Sequence, residues 1–503
     1  MRHTCICLVA VATLVAARLH AADTTERPNI LFIYTDDHSY RTINCYPESF
    51  DWVETPNIDS LARDGMRFTH AYIGTWCMPS RATLLTGHHQ FGVESMRMEG
   101  KYPGSTYDSQ QCPFWPSVFR KQGYTTAHIG KWHTGTDTGY GRDWDFQIVW
   151  NRPKHPDTSQ HYYYDQPITY HGGETKMLKR YSTDQYTDWA INFLKGDGRD
   201  EAKPWYLWLC YGAVHSPFTP ADRHLENYKE IDVPTPADIF PPRPGKPDWA
   251  QKIEFWKRGP NGEPVYGGRQ GKALHAWVRQ YHQAVRAIDE GVGRVLKTLD
   301  ESGQRDNTLI IFTSDQGFAW GQHGFRHKMA AYDANIRSPL MISYPKVIPK
   351  GSICETAVGG VDIVPTIFSF AGLDPPWEFH GHDLTPLLRD PKAEWPHPMM
   401  LTNTNRAYGS ATAEIPKSGV DHNSGIPWYV MLRKDKWKYV RALIPNSIEE
   451  LYDLENDPEE LTNLATASTA NSTLGELRQT AIVELRRNKA PFVDKLPPVK
   501  TEK

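Results

Sequence analysis

A chain of 503 residues that is 39% apolar and 23% charged, with 37 glycines and 38 prolines spread along its length, has a globular composition; fibrous, collagen-like, disordered and multi-span membrane classes are excluded. Its 56 Lys and Arg against 59 Asp and Glu give a net charge of −3, which supplies no long-range positive field for nucleic acid. The length suits one or two bodies, because α/β enzymes often place about 350 residues in one.

The chain opens on a weakly basic Met1-Arg2-His3, an apolar run from Cys5 to Ala17, and small residues at Ala21 and Ala22 ahead of Asp23. About 13 apolar residues are too few to span a bilayer, so residues 1–22 read as a secretory signal peptide. That predicts a secreted or periplasmic protein with no stable membrane span after processing. Cys5 and Cys7 leave with the leader. Cys45, Cys77, Cys112, Cys210 and Cys354 remain, an odd set in which an oxidising compartment leaves at least one cysteine unpaired or otherwise employed.

Asn29 to Tyr34 is a continuous apolar run, suited to a strand buried on both faces, and it stops at Thr35-Asp36-Asp37. Helical patterns follow at 58–63, 115–122 and 183–194. Trp205 to Tyr211 is a second apolar run and feeds Gly212-Ala213-Val214-His215. The stretch 234–264, rich in Pro, Gly and aromatics, reads as a surface excursion before a long amphipathic helix over 273–299. Thr308 to Thr313 repeats the strand design and stops at Ser314-Asp315-Gln316-Gly317, and Pro339 to Tyr344 is a fourth run ahead of a helix over 363–370. Strands alternating with helices predict a doubly wound, mostly parallel α/β sheet over 27–392, with ligands at the carboxyl ends of the strands, where these Asp and His residues fall. Beyond Leu388 the signals turn antiparallel: 429–432, a charged turn at Arg433-Lys434-Asp435, 437–440 and 450–453, then a helix over 474–487. They predict a smaller C-terminal α+β subdomain over 393–503.

The densest signal is Cys77-Met78-Pro79-Ser80-Arg81, with Leu84-x-Thr86-Gly87 behind it. In isolation it reads as a buried thiol at a loop-to-helix junction. It has company: Gly123-Tyr124-Thr125-Thr126 leading into Gly130-Lys131-Trp132-His133-Thr134-Gly135, the pairs Asp36-Asp37 and Asp315-Gln316, and Leu451-Tyr452-Asp453-Leu454 with Asn456-Asp457-Pro458. This ordered set, over about residues 27 to 465, resembles the formylglycine-dependent type I sulfatase family of the alkaline phosphatase-like superfamily.

The resemblance implies that Cys77 is oxidised after translation to Cα-formylglycine by a formylglycine-generating or sulfatase-maturing enzyme. One hydroxyl of the hydrated aldehyde would attack sulfur, and the other would lose its proton and expel sulfate, an exit that a serine at position 77 lacks. It further implies that Arg81 holds the modified side chain, that His133 is the base promoting collapse, and that His215 is the general acid on the leaving oxygen. Lys131 and Lys328 would grip sulfate oxygens. Asp36, Asp37, Asp315 and Gln316 would join position 77 around one divalent cation, and an all-oxygen, carboxylate-rich set favours Ca²⁺ over Mg²⁺. Many relatives carry Asn where this chain has Gln316, whose carbonyl sits on a longer arm.

The clustered cations form a local positive well in a nearly neutral chain, suited to an anionic ester. Arg152, Lys154, His155, His161, Tyr162, Tyr163 and Tyr164, with Trp249 and Trp256 from the excursion, are candidates to stack on sugar rings and meet further charges; His323, Arg326 and His327 are candidates to read the substrate. The expected activity is removal of sulfate from a sulfated carbohydrate. Two alternatives stand beside it: a phosphonate or phosphoester hydrolase of the same superfamily, and a non-catalytic glycan-binding protein in which Cys77 stays unmodified.

Overall fold

The computed structural model describes residues 27–268, 271–417 and 425–500; the predicted leader, residues 1–22, lies outside them. Eleven strands form the central sheet. In chain order they are β1 (Asn29–Thr35), β2 (Met66–Tyr72), β3 (Thr125–Trp132), β4 (Phe146–Asn151), β5 (Gln166–Tyr170), β6 (Thr175–Leu178), β7 (Trp205–Cys210), β8 (Thr308–Ser314), β9 (Ser338–Ser343), β10 (Ser352–Cys354) and β11 (Val358–Gly359). The order across the sheet is β10-β2-β9-β8-β1-β7-β3-β4-β5-β6, with β11 also on β2. The central run β8-β1-β7-β3-β4 is parallel. The fourth apolar run enters as β9, antiparallel to both β8 and β2.

Helices α1 (Pro56–Arg63), α2 (Cys77–Thr86), α3 (Pro116–Lys121), α4 (Ser182–Leu194), α5 (Leu274–Glu301) and α6 (Ile363–Ala371) flank this sheet. Two apolar clusters lie on its faces. One joins Leu31, Ile33, Leu207 and Leu209 to Tyr281, Ile288 and Val292 of α5; the other joins Ile30, Phe32 and Trp208 to Leu84 and Leu85 of α2 and Val364 and Ile367 of α6. Alternate residues of β1 feed opposite clusters, as period-2 geometry requires of a strand buried on both faces.

A four-stranded antiparallel sheet follows, ordered β12 (Met399–Asn403), β13 (Tyr429–Lys434), β14 (Trp437–Ala442) and β15 (Glu450–Asp453). The helix α7 (Asn471–Arg487) packs Leu474, Leu477 and Leu485 against Val430, Leu432 and Tyr439 of this sheet. Among the described residues no helix is long and apolar enough to cross a membrane.

Candidate active site

Four neighbouring parallel strands deliver the site. β1 and β8 are in register, with Thr35 opposite Ser314, so Asp36 and Asp315 leave the sheet side by side. On the other flank of β1 lies β7, which leads to His215, and beyond it β3 carries Lys131 near its end and His133 just past it. Gly130 is required there: its φ is +110°, and a Cβ would stand 2.0 Å from the Cys210 carbonyl oxygen. The reactive position comes from elsewhere. Cys77 is the first residue of α2, all ten of whose residues are buried, and the positive end of the helix dipole therefore lies at the thiol. Gly87 ends that helix at φ +75°, its N–H donating to the Thr83 carbonyl at 2.8 Å.

Cys77 Sγ donates to Asp36 Oδ1 at 3.4 Å and accepts from Lys328 Nζ at 3.1 Å. Lys328 also reaches Asp37 Oδ1 at 2.5 Å. Arg81 donates to Asp36 Oδ2 at 2.9 Å and to the Lys131 carbonyl at 3.0 Å, and Lys131 Nζ pairs with the same Asp36 oxygen. Asp37 sits at φ +54°, a left-handed conformation that short polar side chains tolerate. Its N–H donates to Asp315 Oδ1 at 2.8 Å, and its carbonyl accepts from the Tyr281 hydroxyl of α5 at 2.5 Å.

Charge explains the protonation states. Burial alone would raise the Asp36 carboxyl, but Lys131 and Arg81 outweigh it and hold the group well below the usual carboxylate range. Burial raises Asp37 against the pull of Lys328, with Asp36 reinforcing the rise. Asp315 is pushed up to about 7 by burial and by the Asp36 and Asp37 charges. Burial and Asp36 push the Cys77 thiol up to about 12. Burial would lower Lys328 too, but Asp37 and Cys77 reverse that and raise it well above an ordinary lysine.

The three crowded carboxylates could hold a cation. Ligand atoms of Asp36, Asp37, Cys77 and His215 lie within 4.8 Å of one another. Asp315 Oδ2 and Gln316 Oε1 are buried without a hydrogen-bond partner, while the Gln316 amide nitrogen is turned to Asp37 Oδ1. Unpaired buried oxygens are costly, so these residues fit a hard divalent ion.

The two histidines are held differently. His215 Nδ1 donates to the Ser216 carbonyl at 2.8 Å, Nε2 stands 3.6 Å from Asp37 Oδ2, and the ring stacks on Tyr162 at 3.8 Å and 4°. His133 is fully buried, with both ring nitrogens 3.1–3.2 Å from Arg152 Nη1. Burial and Lys328 push His215 well below its ordinary value; burial, Arg152 and Lys131 do the same to His133. Arg152 and Tyr162 thus pack directly on the two site histidines. The signal for Arg152 was its place just past a strand end, visible once 146–151 is recognised as β4.

The expected sugar contacts lie at different depths. Tyr162, Tyr163, Trp249 and Trp256 are buried, as is Arg152, because the connections they sit on pack against the sheet and α5. Lys154 and His161 are exposed, and His155 and Tyr164 half-buried. His323 is buried, its Nδ1 lies 2.7 Å from Asp238 Oδ2, and its ring packs on Tyr332. All five cysteines of the described residues are free thiols.

Residues 28–373 match the sulfatase family model, and residues 321–488 match the C-terminal model of N-sulphoglucosamine sulphohydrolase. Over 494 residues the chain is 32% identical to an N-acetylglucosamine-6-O-sulfatase of Bacteroides thetaiotaomicron, covering 88% of this chain and 83% of that one. A solved structure in complex with its substrate D-glucosamine-2-N,6-O-disulfate superposes with a TM-score of 0.77 at 28% identity, covering 92% of this chain and 98% of the other. The crystal structure of a phosphonate monoester hydrolase of Agrobacterium radiobacter gives a TM-score of 0.66 at 25% identity, covering 92% and 96%.

Proposed function

The chain belongs to the sulfatase family, and on that premise we propose that this sulfuric ester hydrolase acts outside the cytoplasm on a sulfated sugar, with Cys77 matured to Cα-formylglycine and a Ca²⁺ held by Asp36, Asp37, Asp315, Gln316 and position 77. The observation that carries the reading is the cluster of Asp36, Asp37, His215 and Cys77, whose ligand atoms lie within 4.8 Å of one another, with Lys328 Nζ 3.1 Å from the Cys77 sulfur. When present, the hydrated aldehyde supplies an oxygen nucleophile and the cation neutralises charge on the sulfate.

The chain's own residues do the rest. Lys131 and Lys328 flank position 77 and hold sulfate oxygens; Arg81, fixed by Asp36 and the Lys131 carbonyl, anchors the reactive side chain. His215 donates Nδ1–H to Ser216, which leaves Nε2 as the nitrogen that takes up and delivers a proton to the departing oxygen. The negative charge of a bound sulfate favours that uptake. His133, kept neutral beside Arg152, accepts the proton whose loss releases sulfate. A formylglycine-generating enzyme is the implied maturation partner, and residues 1–22 the implied export signal.

The phosphonate reading keeps a place because a phosphonate monoester hydrolase shares the fold. Sulfate release from N-acetylglucosamine 6-sulfate, measured beside hydrolysis of a phenyl phosphonate monoester, separates the two. Sulfate release with kcat/KM at least about tenfold higher is expected, and the opposite ranking overturns the assignment. Chelation should abolish the activity and Ca²⁺ restore it better than Zn²⁺; full activity in metal-free enzyme would contradict the ligand set.

A further inference from the structure

We propose that Arg326 reads a second anionic group, a sulfate or carboxylate on the same sugar ring as the scissile ester, an inference that rests on the carbohydrate sulfatase reading above. Arg326 lies two residues before Lys328, whose Nζ touches Cys77 Sγ. Its guanidinium also stands 5.4 Å from the ring of Phe218, three residues after His215. It therefore bridges the segment that carries Lys328 and the segment that follows His215.

The guanidinium is caged. It lies 3.9 Å from the Trp277 ring centroid, 4.3 Å from Tyr266 and 5.7 Å from Trp320. Aromatic faces hold a cation without neutralising it. Among the described residues no carboxylate comes within ion-pair distance of it, whereas its neighbours differ: Lys328 is paired with Asp37 and His323 with Asp238. Tyr266 is the ionisable group that acts on it, and burial lowers its affinity for its proton without a carboxylate to offset the effect. Arg326 is half-buried rather than sealed. Lys272 stands 4.8 Å over the Trp277 ring and adds a second cation to the same cage. A pre-ordered, half-desolvated guanidinium without a counter-charge loses little entropy on binding and forks onto carboxylate or sulfate oxygens.

The test measures kcat and KM of wild type, Arg326→Gln and Arg326→Lys on N-acetylglucosamine 6-sulfate and on glucosamine 2-N,6-O-disulfate. A charge-assisted contact predicts that wild type prefers the disulfate by about 10- to 100-fold in kcat/KM. Arg326→Gln should erase that preference through KM, and Arg326→Lys should keep part of it. A role confined to packing the cage would change both substrates together and leave the ratio untouched. Identical ratios in all three proteins overturn the inference while the carbohydrate reading stands. If wild type released sulfate from nitrophenyl sulfate and from neither sugar, both would fall. Should neither variant fold by circular dichroism, wild type alone decides: a preference within about twofold overturns the proposal.

Discussion

His215 donates one ring nitrogen to the Ser216 carbonyl and presents the other beside Asp37, whereas His133 has both nitrogens against Arg152. The different surroundings predict different defects. A sugar alkoxide is a far worse leaving group than a nitrophenolate, so His215→Ala should slow sugar sulfate hydrolysis by about 10² to 10⁴ and nitrophenyl sulfate much less. His133→Ala should slow both and accumulate a sulfated enzyme detectable by intact mass. Equal losses on both substrates for His215→Ala, with no accumulation for His133→Ala, would reverse the assignments. At this scale much was readable in advance. Cys77, Arg81, Lys131, Asp36, Asp37, Asp315, Gln316, His215 and Lys328 meet in one place because short motifs fix them to strand ends and a helix start. Arg152 and Tyr162 were expected near the pocket as substrate contacts; that Arg152 sits against both His133 nitrogens and Tyr162 stacks on His215 was not readable, because tertiary folding sets those pairings.

The C-terminal sheet holds the loop that carries Lys328. Tyr429 of β13 donates to the Met329 carbonyl at 2.7 Å. On β14, Lys438 is fully buried between Asp333 Oδ1 at 2.7 Å and Glu460 Oε1 at 2.6 Å. Lys438→Met would leave two buried carboxylates without that cation, and removing one partner of a buried pair typically costs about 3–5 kcal/mol; a lower Tm and reduced kcat/KM are expected. Tyr429→Phe, which loses one neutral hydrogen bond worth about 1 kcal/mol, should reduce kcat/KM with little change in Tm. Unchanged kinetics in both would show that the second sheet does not position Lys328. Element prediction succeeded where apolar runs were unbroken, as in β1, β7 and β8. It missed β2 and β3, whose sequences MRFTHAY and TTAHIGKW place Arg67, His70, His128 and Lys131 inside strands. Tertiary partners pay for those polar groups: Arg67 lies over the Tyr46 ring, and Lys131 pairs with Asp36. Helix α2 has no amphipathic period because it is buried on every side.

For the whole molecule, buried neutral histidines tie stability to pH. His128 is fully buried on β3 between Trp132 and Trp208, both ring nitrogens lacking a hydrogen-bond partner. Burial, aided by Arg81, lowers it to about 3. The unfolded chain takes up this proton first, so the contribution is fully present above about pH 6.5 and is lost as pH falls from there toward 3. At pH 5 the loss is roughly 2 kcal/mol for this one group. His128→Phe should therefore lose about that much less stability than wild type between pH 8 and pH 5 in urea unfolding, and parallel pH profiles would contradict the assignment. The same whole-molecule view explains what composition could and could not foretell. Alternating strands and helices foretold the mostly parallel sheet, whereas the antiparallel β9, β5 and β6 depend on pairings that no local pattern encodes.

The proposed chemistry depends on the chemical state of one residue, Cys77. Mass spectrometry of the peptide spanning position 77, in protein purified from its native host, reads that state. This peptide should carry an aldehyde or its hydrate in place of the thiol, and the modified fraction should scale with sulfatase activity. An unmodified cysteine in fully active protein would contradict it.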